Sequence, residues 1–308
     1  MCIRDRATVA PFLLAILNPT SVNAHLGDLR SLPVDAAMLS EVSLTFGGQK
    51  FAKSQLAEGD RGFTAVWGPP QPPRAMQGVA KSEWDAVPGG VGAMARRPLK
   101  IQEVETPLAQ RDLVREGEPD LLEEGRLLHT AIPMGSGTVV VHLLTYYGFS
   151  GARAGNTTAK RLNEAGLRQA LRYAAALGQV PIILGGDLND NPDTSPTLWA
   201  ALRAGWQDAA QLEANKADPP TELPHTFDNG TATSRIDLAL LNEEATLAFD
   251  KCWTAEAEEY QFPQHRPVFV RFCWQNLCQQ VQRIKKPQAI PRPHPPEGAA
   301  ASPRDTYF

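Results

Sequence analysis

Several polar residues stand where apolar runs end, and their types suit chemistry on a phosphate. In PIILGGDLNDNP (181–192) a short apolar strand runs into Gly185 and Gly186 and then into Asp187 and Asn189. A carboxylate beside an amide at a strand's C-terminal mouth can hold a water or a metal with one group and a phosphate oxygen with the other. Taken alone, the same residues also make a turn, because Gly, Asp, Asn and Pro bend the chain for backbone reasons of their own. A second acid, Asp237 in SRIDLALL, interrupts an otherwise apolar run. Buried without a partner it would cost on the order of several kcal/mol. His265, in the loop before the strand that Pro267 opens, offers that partner: a carboxylate on one ring nitrogen fixes the tautomer and leaves the other nitrogen free for a substrate. Glu41 follows the apolar run AAMLS and meets no cation on its C-terminal side until Lys50. Mg²⁺ favours one or two carboxylates plus water and phosphate oxygens, so Glu41 suits it, although a strand-end carboxylate can also simply be solvated. Each of these residues alone also reads as structural. Their recurrence at successive strand ends points to a site.

Strands and helices must bring these ends together. Apolar runs over 11–17, 36–42, 63–68, 90–97, 138–148, 180–186, 235–241 and 266–274 read as strands. Leu167, Ala170, Leu171, Ala174 and Ala175 fall at helical spacing between Thr157 and Gly178, with Lys160, Arg161, Arg168 and Arg172 on other faces. In TSPTLWAALRAGW, Ser195 is a cap, Pro196 suits the first helical position and Gly205 stops the helix. The run IDLALL is apolar on both faces, as expected of strands in two packed sheets with helices outside. There is no internal repeat.

At 308 residues, with 43% hydrophobic and 21% charged, the chain is ordinary globular protein. A net charge of -4 gives no whole-chain attraction to polyanions, so a nucleic acid would have to meet a local basic patch. Cys2, Cys252, Cys273 and Cys278 match no zinc spacing and suggest reduced thiols inside a cell. No stretch is long and apolar enough to span a bilayer. The N-terminus, basic and then apolar with small residues near Ala24, reads either as a secretory signal or, given Pro11, as a core strand. Residues 1–10, MCIRDRATVA, would be a leader or an assembly scar, which the opening MCIRDR resembles. Residues 11–274 would form the folded domain, and 275–308, rich in Pro and basic residues, a linker or tail.

The order Asn18 in LNPTS, Glu41 in LSEVSLT, GGVGAMARR, Tyr147 in LTYYG, GGDLN, SRIDLALLN and QHRPV resembles the endonuclease/exonuclease/phosphatase superfamily, especially the apurinic-type endonuclease domains of non-LTR retrotransposons. The likeness covers roughly residues 11 to 272. It implies a four-layer α/β sandwich, two packed mixed β-sheets flanked by helices. It further implies that Glu41 binds Mg²⁺, or Mn²⁺ in its place, helped by Asn18. Asp187 would orient or deprotonate the attacking water, Asn189 would hold the scissile phosphate and Tyr147 would give it a hydroxyl. His265, positioned by Asp237, would stabilise charge on phosphorus.

The chain departs from that pattern at three places. Gln264 stands where an Asp usually precedes the terminal His, which lowers the expected Mg²⁺ affinity; Ser40 stands where a Gln usually precedes the metal Glu; and Pro19 follows Asn18. Arg235, Arg266 and Arg153, with Arg96, Arg97, Lys100, Lys160 and Arg161, are candidates for a basic rim that binds a phosphate backbone, or are scattered surface charges. Trp67, Trp84 and Trp206 would stack on bases or belong to the core, and Phe227 reads as packing. The expectation is a Mg²⁺-dependent phosphodiesterase that nicks DNA. As part of a retroelement it would work in the nucleus and join a reverse transcriptase segment beyond the C-terminus. The alternatives are a phosphatase or phospholipase of the same fold and a catalytically weakened or dead nucleic-acid-binding module.

Overall fold

A computed structural model describes residues 11–71, 89–105, 114–134, 139–152, 156–256, 258–260 and 262–273. The expected leader over 1–10, Trp84, Arg153, Cys2, Cys278 and the expected tail from 275 lie outside the described residues.

Two mixed six-stranded sheets face each other. In the first, β1 (Phe12–Leu17) runs parallel to β2 (Ala36–Ser40), connected through α1 (Leu26–Ser31). Antiparallel neighbours extend it on both sides: β3 (Phe63–Trp67) and β4 (Val91–Arg96) beyond β2, and β13 (Phe249–Thr254) and β14 (Val268–Phe272) beyond β1, giving the order β13-β14-β1-β2-β4-β3. The second sheet repeats the plan. Its parallel pair is β7 (Val139–Tyr146) and β8 (Ile182–Asp187), crossed by the long helix α3 (Thr157–Ala176). With β5 (Gln102–Glu103), β6 (Leu127–Met134), β9 (Gln207–Asp208) and β12 (Asp237–Leu241), the order is β5-β6-β7-β8-β12-β9. A hairpin of β10 (Phe227–Asp228) and β11 (Thr233–Ser234) stands apart.

Strand periodicity sorts the side chains into three apolar layers. Leu14, Ile16, Met38, Val141, Leu143, Ile183, Ala239 and Leu241 meet between the sheets. The alternate residues Ala15, Leu17, Ala37 and Leu39 face outward and are covered by Leu29 and Leu32 of the α1 region and by Ala52 and Leu56 of α2 (Phe46–Leu56). On the other side Leu144, Leu184, Leu238 and Leu240 pack beneath Leu167, Ala170 and Ala174 of α3 and Leu198 of α4 (Pro196–Arg203). This is the α/β sandwich expected. Asn156 caps α3 by accepting the Ala159 N–H, and Ser195 caps α4 with Pro196 at the first helical position.

Some expected strands are shorter. The run 36–42 stops at Ser40, because Glu41 turns to a φ of 52°. The run 235–241 begins at Asp237. Two long strands, β6 and β13, and the two-residue strands β5, β9, β10 and β11 lie outside the expected runs. β13 is an edge strand in which Asp250 and Lys251 blunt outward pairing, and these charges also hide its strand character in the sequence. Phe12–Leu17 lies in the interior of its sheet, between β14 and β2, as the core-strand reading requires. No helix among the described residues is long and apolar enough to cross a membrane.

Candidate active site

The two glycines before Asp187 are explained by what lies against them. A Cβ on Gly186, whose φ is 137°, would sit 2.0 Å from the Tyr146 carbonyl oxygen and 2.8 Å from Ser40 Oγ. One on Gly185 would come within 3.0 Å of the Leu238 oxygen and 3.2 Å of Ile16 in the facing sheet. Only side chains as small as hydrogen let β8 lie this close to both neighbours. Asp187 therefore reaches the point where the ends of β1, β2, β8 and β12 meet.

Asn18, directly after β1 and fully buried, is the hub of that meeting point. Its Nδ2 lies 2.9 Å from Glu41 Oε2, 3.0 Å from Asp187 Oδ2 and 3.3 Å from His265 Nε2. Across the ring, His265 Nδ1 is 2.9 Å from Asp237 Oδ2. Burial by itself would pull the imidazole pKa down, but Asp237, then Asp187 and Glu41, outweigh it and raise it to about 9. The ring is then an imidazolium at neutral pH, a donor at both nitrogens. Asn18 gives its two amide hydrogens to the two carboxylates, so its 3.3 Å approach to the protonated His265 Nε2 is a contact between donors and not a hydrogen bond. Burial, followed by the charge of Asp237, lifts Asp187 to about 7, against the pull of His265, the Asn189 N–H and Asn18.

Neighbouring loops hold these groups in place. Asn189, at a φ of 51°, donates its backbone N–H to Asp187 Oδ1 at 2.9 Å and its amide to the Gly148 oxygen at 3.3 Å. Tyr147 is buried behind them with its hydroxyl 3.2 Å from Ser150 Oγ; burial first, then Glu41, raises its pKa. Phe227 sets its ring edge-on to His265, centroids 5.0 Å apart, which agrees with the packing role expected of it. Thr226 Oγ1 accepts the N–H groups of Ile236 and Asp237, and its carbonyl accepts the Arg266 N–H, tying the loops around the Asp237–His265 pair.

The structure brings Asn18, Glu41, Asp187, Asn189, Asp237 and His265 together with Tyr147 beside them. It alters one expectation. Asn18 Oδ1 accepts the Thr20 N–H at 2.8 Å, so the amide offers the cluster its nitrogen and not the oxygen a metal would need. Asn18 is here a donor to carboxylates. The basic rim also thins. Arg235 is tied to Asp208 at 2.6 Å, Arg96 to the carbonyls of Val34, Arg61 and Leu32, Arg97 to those of Ala57 and Gly59, and Lys160 to Asp190 and Thr194. Each long cation found a partner that only the tertiary fold supplies. Arg126 escaped sequence reasoning altogether: its guanidinium donates to the carbonyls of Tyr147 and Gly148 and lies 4.0 Å from the Phe149 ring centroid. Nothing in its local sequence marks it.

The donor set fits a hard divalent cation. Glu41 and Asp187 present carboxylate oxygens, and Asp187, Asp237 and His265 offer ligand atoms all within 4.8 Å of one another. Among the described residues, Asp237 Oδ1 is buried with no hydrogen-bond partner, an acceptor still unsatisfied at the centre of the group.

A model of the Endonuclease/Exonuclease/phosphatase family matches residues 18–258. No curated protein matches. Among solved structures, the chain is similar to an AP endonuclease from Archaeoglobus fulgidus (15% identity, TM-score 0.60, 85% of this chain and 99% of that one). It is also similar to a 3'-5' exonuclease from Neisseria meningitidis (18%, 0.59, 85% and 100%). A third similar structure is the endonuclease domain of TRAS1, a telomere-specific non-LTR retrotransposon (14%, 0.54, 85% and 98%). At these identities the likeness establishes a common fold.

Proposed function

Because this chain belongs to the endonuclease/exonuclease/phosphatase family, we propose that its clustered strand ends hydrolyse phosphodiester bonds in DNA with the help of a divalent cation. The observation that carries this reading is the convergence on one amide: Asn18 Nδ2 touches Glu41 and Asp187 and lies beside the Asp237-held His265. A hydrolase at phosphorus needs a group to take the proton of water, a positive group to meet the developing charge and a way to neutralise non-bridging oxygens.

Asp187 fills the first role. With a pKa near 7 it is partly ionised at neutral pH and can accept a proton from the attacking water. His265 fills the second as an imidazolium, with Asp237 fixing its orientation. Asn189, beside Asp187, offers its amide to the phosphate. Glu41 would hold Mg²⁺, with Mn²⁺ as a substitute, and the bound ion would neutralise charge on the phosphate oxygens. Arg266, next to His265, belongs to the proposed contact with the backbone. The extension of this reading to a retroelement nicking enzyme rests on the order of motifs in the sequence, since the TRAS1 likeness shows the fold alone.

A second reading is favoured by the engaged cations. With Arg96, Arg97, Lys160 and Arg235 held by carbonyls and carboxylates, the rim suits a small phosphoester as well as a polymer. Supercoiled plasmid and a small aryl phosphoester, each with Mg²⁺, with Mn²⁺ and with chelator, separate the two. Metal-dependent nicking supports the DNA reading. Turnover of the small ester with intact plasmid replaces it, and no turnover of either leaves a binding module.

A further inference from the structure

One hydroxyl joins the two sheets at the site. Ser40, the last residue of β2 and fully buried, accepts the backbone N–H of Asp187 on Oγ at 2.8 Å and lies 3.3 Å from the Tyr146 oxygen, to which it donates. β2 belongs to one sheet, β7 and β8 to the other. Each contact sits at or next to a residue of the site. Glu41 follows Ser40, Tyr147 follows Tyr146, and Asp187 is itself the donor.

The backbone explains why such a contact is needed. Register pairing between β7 and β8 ends at Thr145 and Gly185. Gly186 then turns to a φ of 137°, and the next N–H, that of Asp187, is taken out of the β7 ladder and buried. A buried N–H without an acceptor costs about 1–3 kcal/mol, and Ser40 supplies the acceptor. The side chain must also be short. Gly186 leaves so little room that a Cβ on it would already lie 2.8 Å from Ser40 Oγ. Side chains of the site also cross between the sheets, Asn18 to Asp187 and His265 to Asp237, but Ser40 holds the Asp187 backbone; away from the site the contact between the sheets is built largely from apolar side chains such as Leu14, Ile16, Val141 and Ile183, whose packing is non-directional. A hydrogen bond is directional, and this one lies where the offset of the two sheets sets the spacing of Glu41 and Asp187.

We infer that Ser40 is a positioning residue, an inter-sheet latch whose hydroxyl fixes Asp187 relative to Glu41. The inference rests on the hydrolase reading for its effect on rate, but the latch itself is a structural claim with its own readout. Ser40 touches no substrate in this account, so its loss changes turnover and leaves binding alone.

The test uses the full chain and the substrate that the wild type turns over. Ser40→Ala is expected to lower kcat at least tenfold, leave KM within twofold, and speed hydrogen exchange of the Asp187 amide at least tenfold while Met38 and Leu184 keep their protection. Ser40→Thr keeps the hydroxyl and recovers most of kcat; Ser40→Val, of the same shape without it, does not. Should the β-branched pair not fold, Ser40→Cys against Ser40→Ala takes its place, with the weakly accepting thiol giving intermediate exchange. Wild-type kcat or wild-type Asp187 protection in Ser40→Ala overturns the latch, as does equal activity of the Thr and Val variants. If the wild type hydrolyses no phosphoester, the hydrolase reading fails, and the exchange of the Asp187 amide still decides whether the latch exists.

Discussion

Asp237 stands directly opposite Asp187 across the antiparallel pair of β12 and β8. Like charges facing each other on adjacent strands destabilise a sheet, and both residues are buried. The pair persists because His265 sits against it as a cation and Asp187 gives up part of its charge. Its pKa rises to about 7 while that of His265 rises to about 9. Asp187 and His265 lie close enough that the ionisation of each depends on the other.

Turnover should therefore follow a bell-shaped pH profile. Activity rises as Asp187 ionises near 7 and falls as His265 loses its proton near 9. Asp237→Asn removes the main influence that raises His265, so the alkaline limb moves to lower pH and kcat drops by roughly 10²-fold or more. A pH-rate series on both proteins measures this. An alkaline limb that stays in place would show that Asp237 does not govern the imidazole.

Asn18→Asp separates two roles for Asn18. If this residue were a metal ligand, a carboxylate would tighten the site; as a donor to Glu41 and Asp187, it becomes a third acid among them. The expected result is a loss of activity with the acid limb shifted to higher pH, since a further negative charge disfavours ionised Asp187. A lower half-saturating Mg²⁺ concentration with undiminished kcat would make Asn18 a ligand instead.

Gln264 occupies a left-handed backbone position, φ 63°, just before His265. Asp tolerates that conformation as well as or better than Gln, so Gln264→Asp adds a carboxylate beside the cluster at little backbone cost. Half-saturating Mg²⁺ should fall severalfold, with kcat equal or higher. An unchanged metal titration would remove Gln264 from the account of weakened metal binding.

Away from the site, a buried histidine, His129, meets a half-buried one, His142. His129 Nε2 lies 2.8 Å from His142 Nδ1, and His129 Nδ1 lies 2.9 Å from the Tyr173 hydroxyl. Burial, with His142 adding to it, lowers His129 from 6.5 to about 3, and burial lowers His142 as well. Below pH 6.5 the unfolded chain binds protons that the folded chain refuses, so stability present above that value is lost as pH falls toward 3. Denaturant melts between pH 7 and 4 should show His129→Gln losing less stability over this window than wild type, although it starts lower. Parallel curves would contradict a neutral His129 in the folded chain.

What could be read from the sequence follows from how local each signal is. Asp187, Asn189, Asp237, His265 and Glu41 were marked because polar residues at the ends of apolar runs stand out within a few positions. α3 and α4 were marked by periodicity and caps. In contrast, β6 contains His129, Thr130 and Pro133 and has both faces covered, so no alternation shows. α2 begins Phe46-Gly47-Gly48 and buries only Ala52 and Leu56, too thin a stripe to announce a helix. The partners of the basic residues are illegible for a related reason: the carbonyls that engage Arg96 and the carboxylate that holds Arg235 come from distant segments. Ser40 departs from the family pattern in sequence, and only the tertiary fold sets the Asp187 N–H against its hydroxyl.

The central claim is that a proton acceptor at the end of one strand and an imidazolium in the loop before another act on one phosphorus atom, and a double-mutant comparison addresses it most directly. With Mg²⁺ and the substrate that wild type cleaves, kcat is measured for Asp187→Ala, His265→Ala and the two combined. Groups that work as a unit are strongly non-additive. Each single change should abolish most of the activity, and the double variant should be no worse than the poorer single one. Cleavage undiminished in either single variant, or losses that simply multiply, would contradict the account.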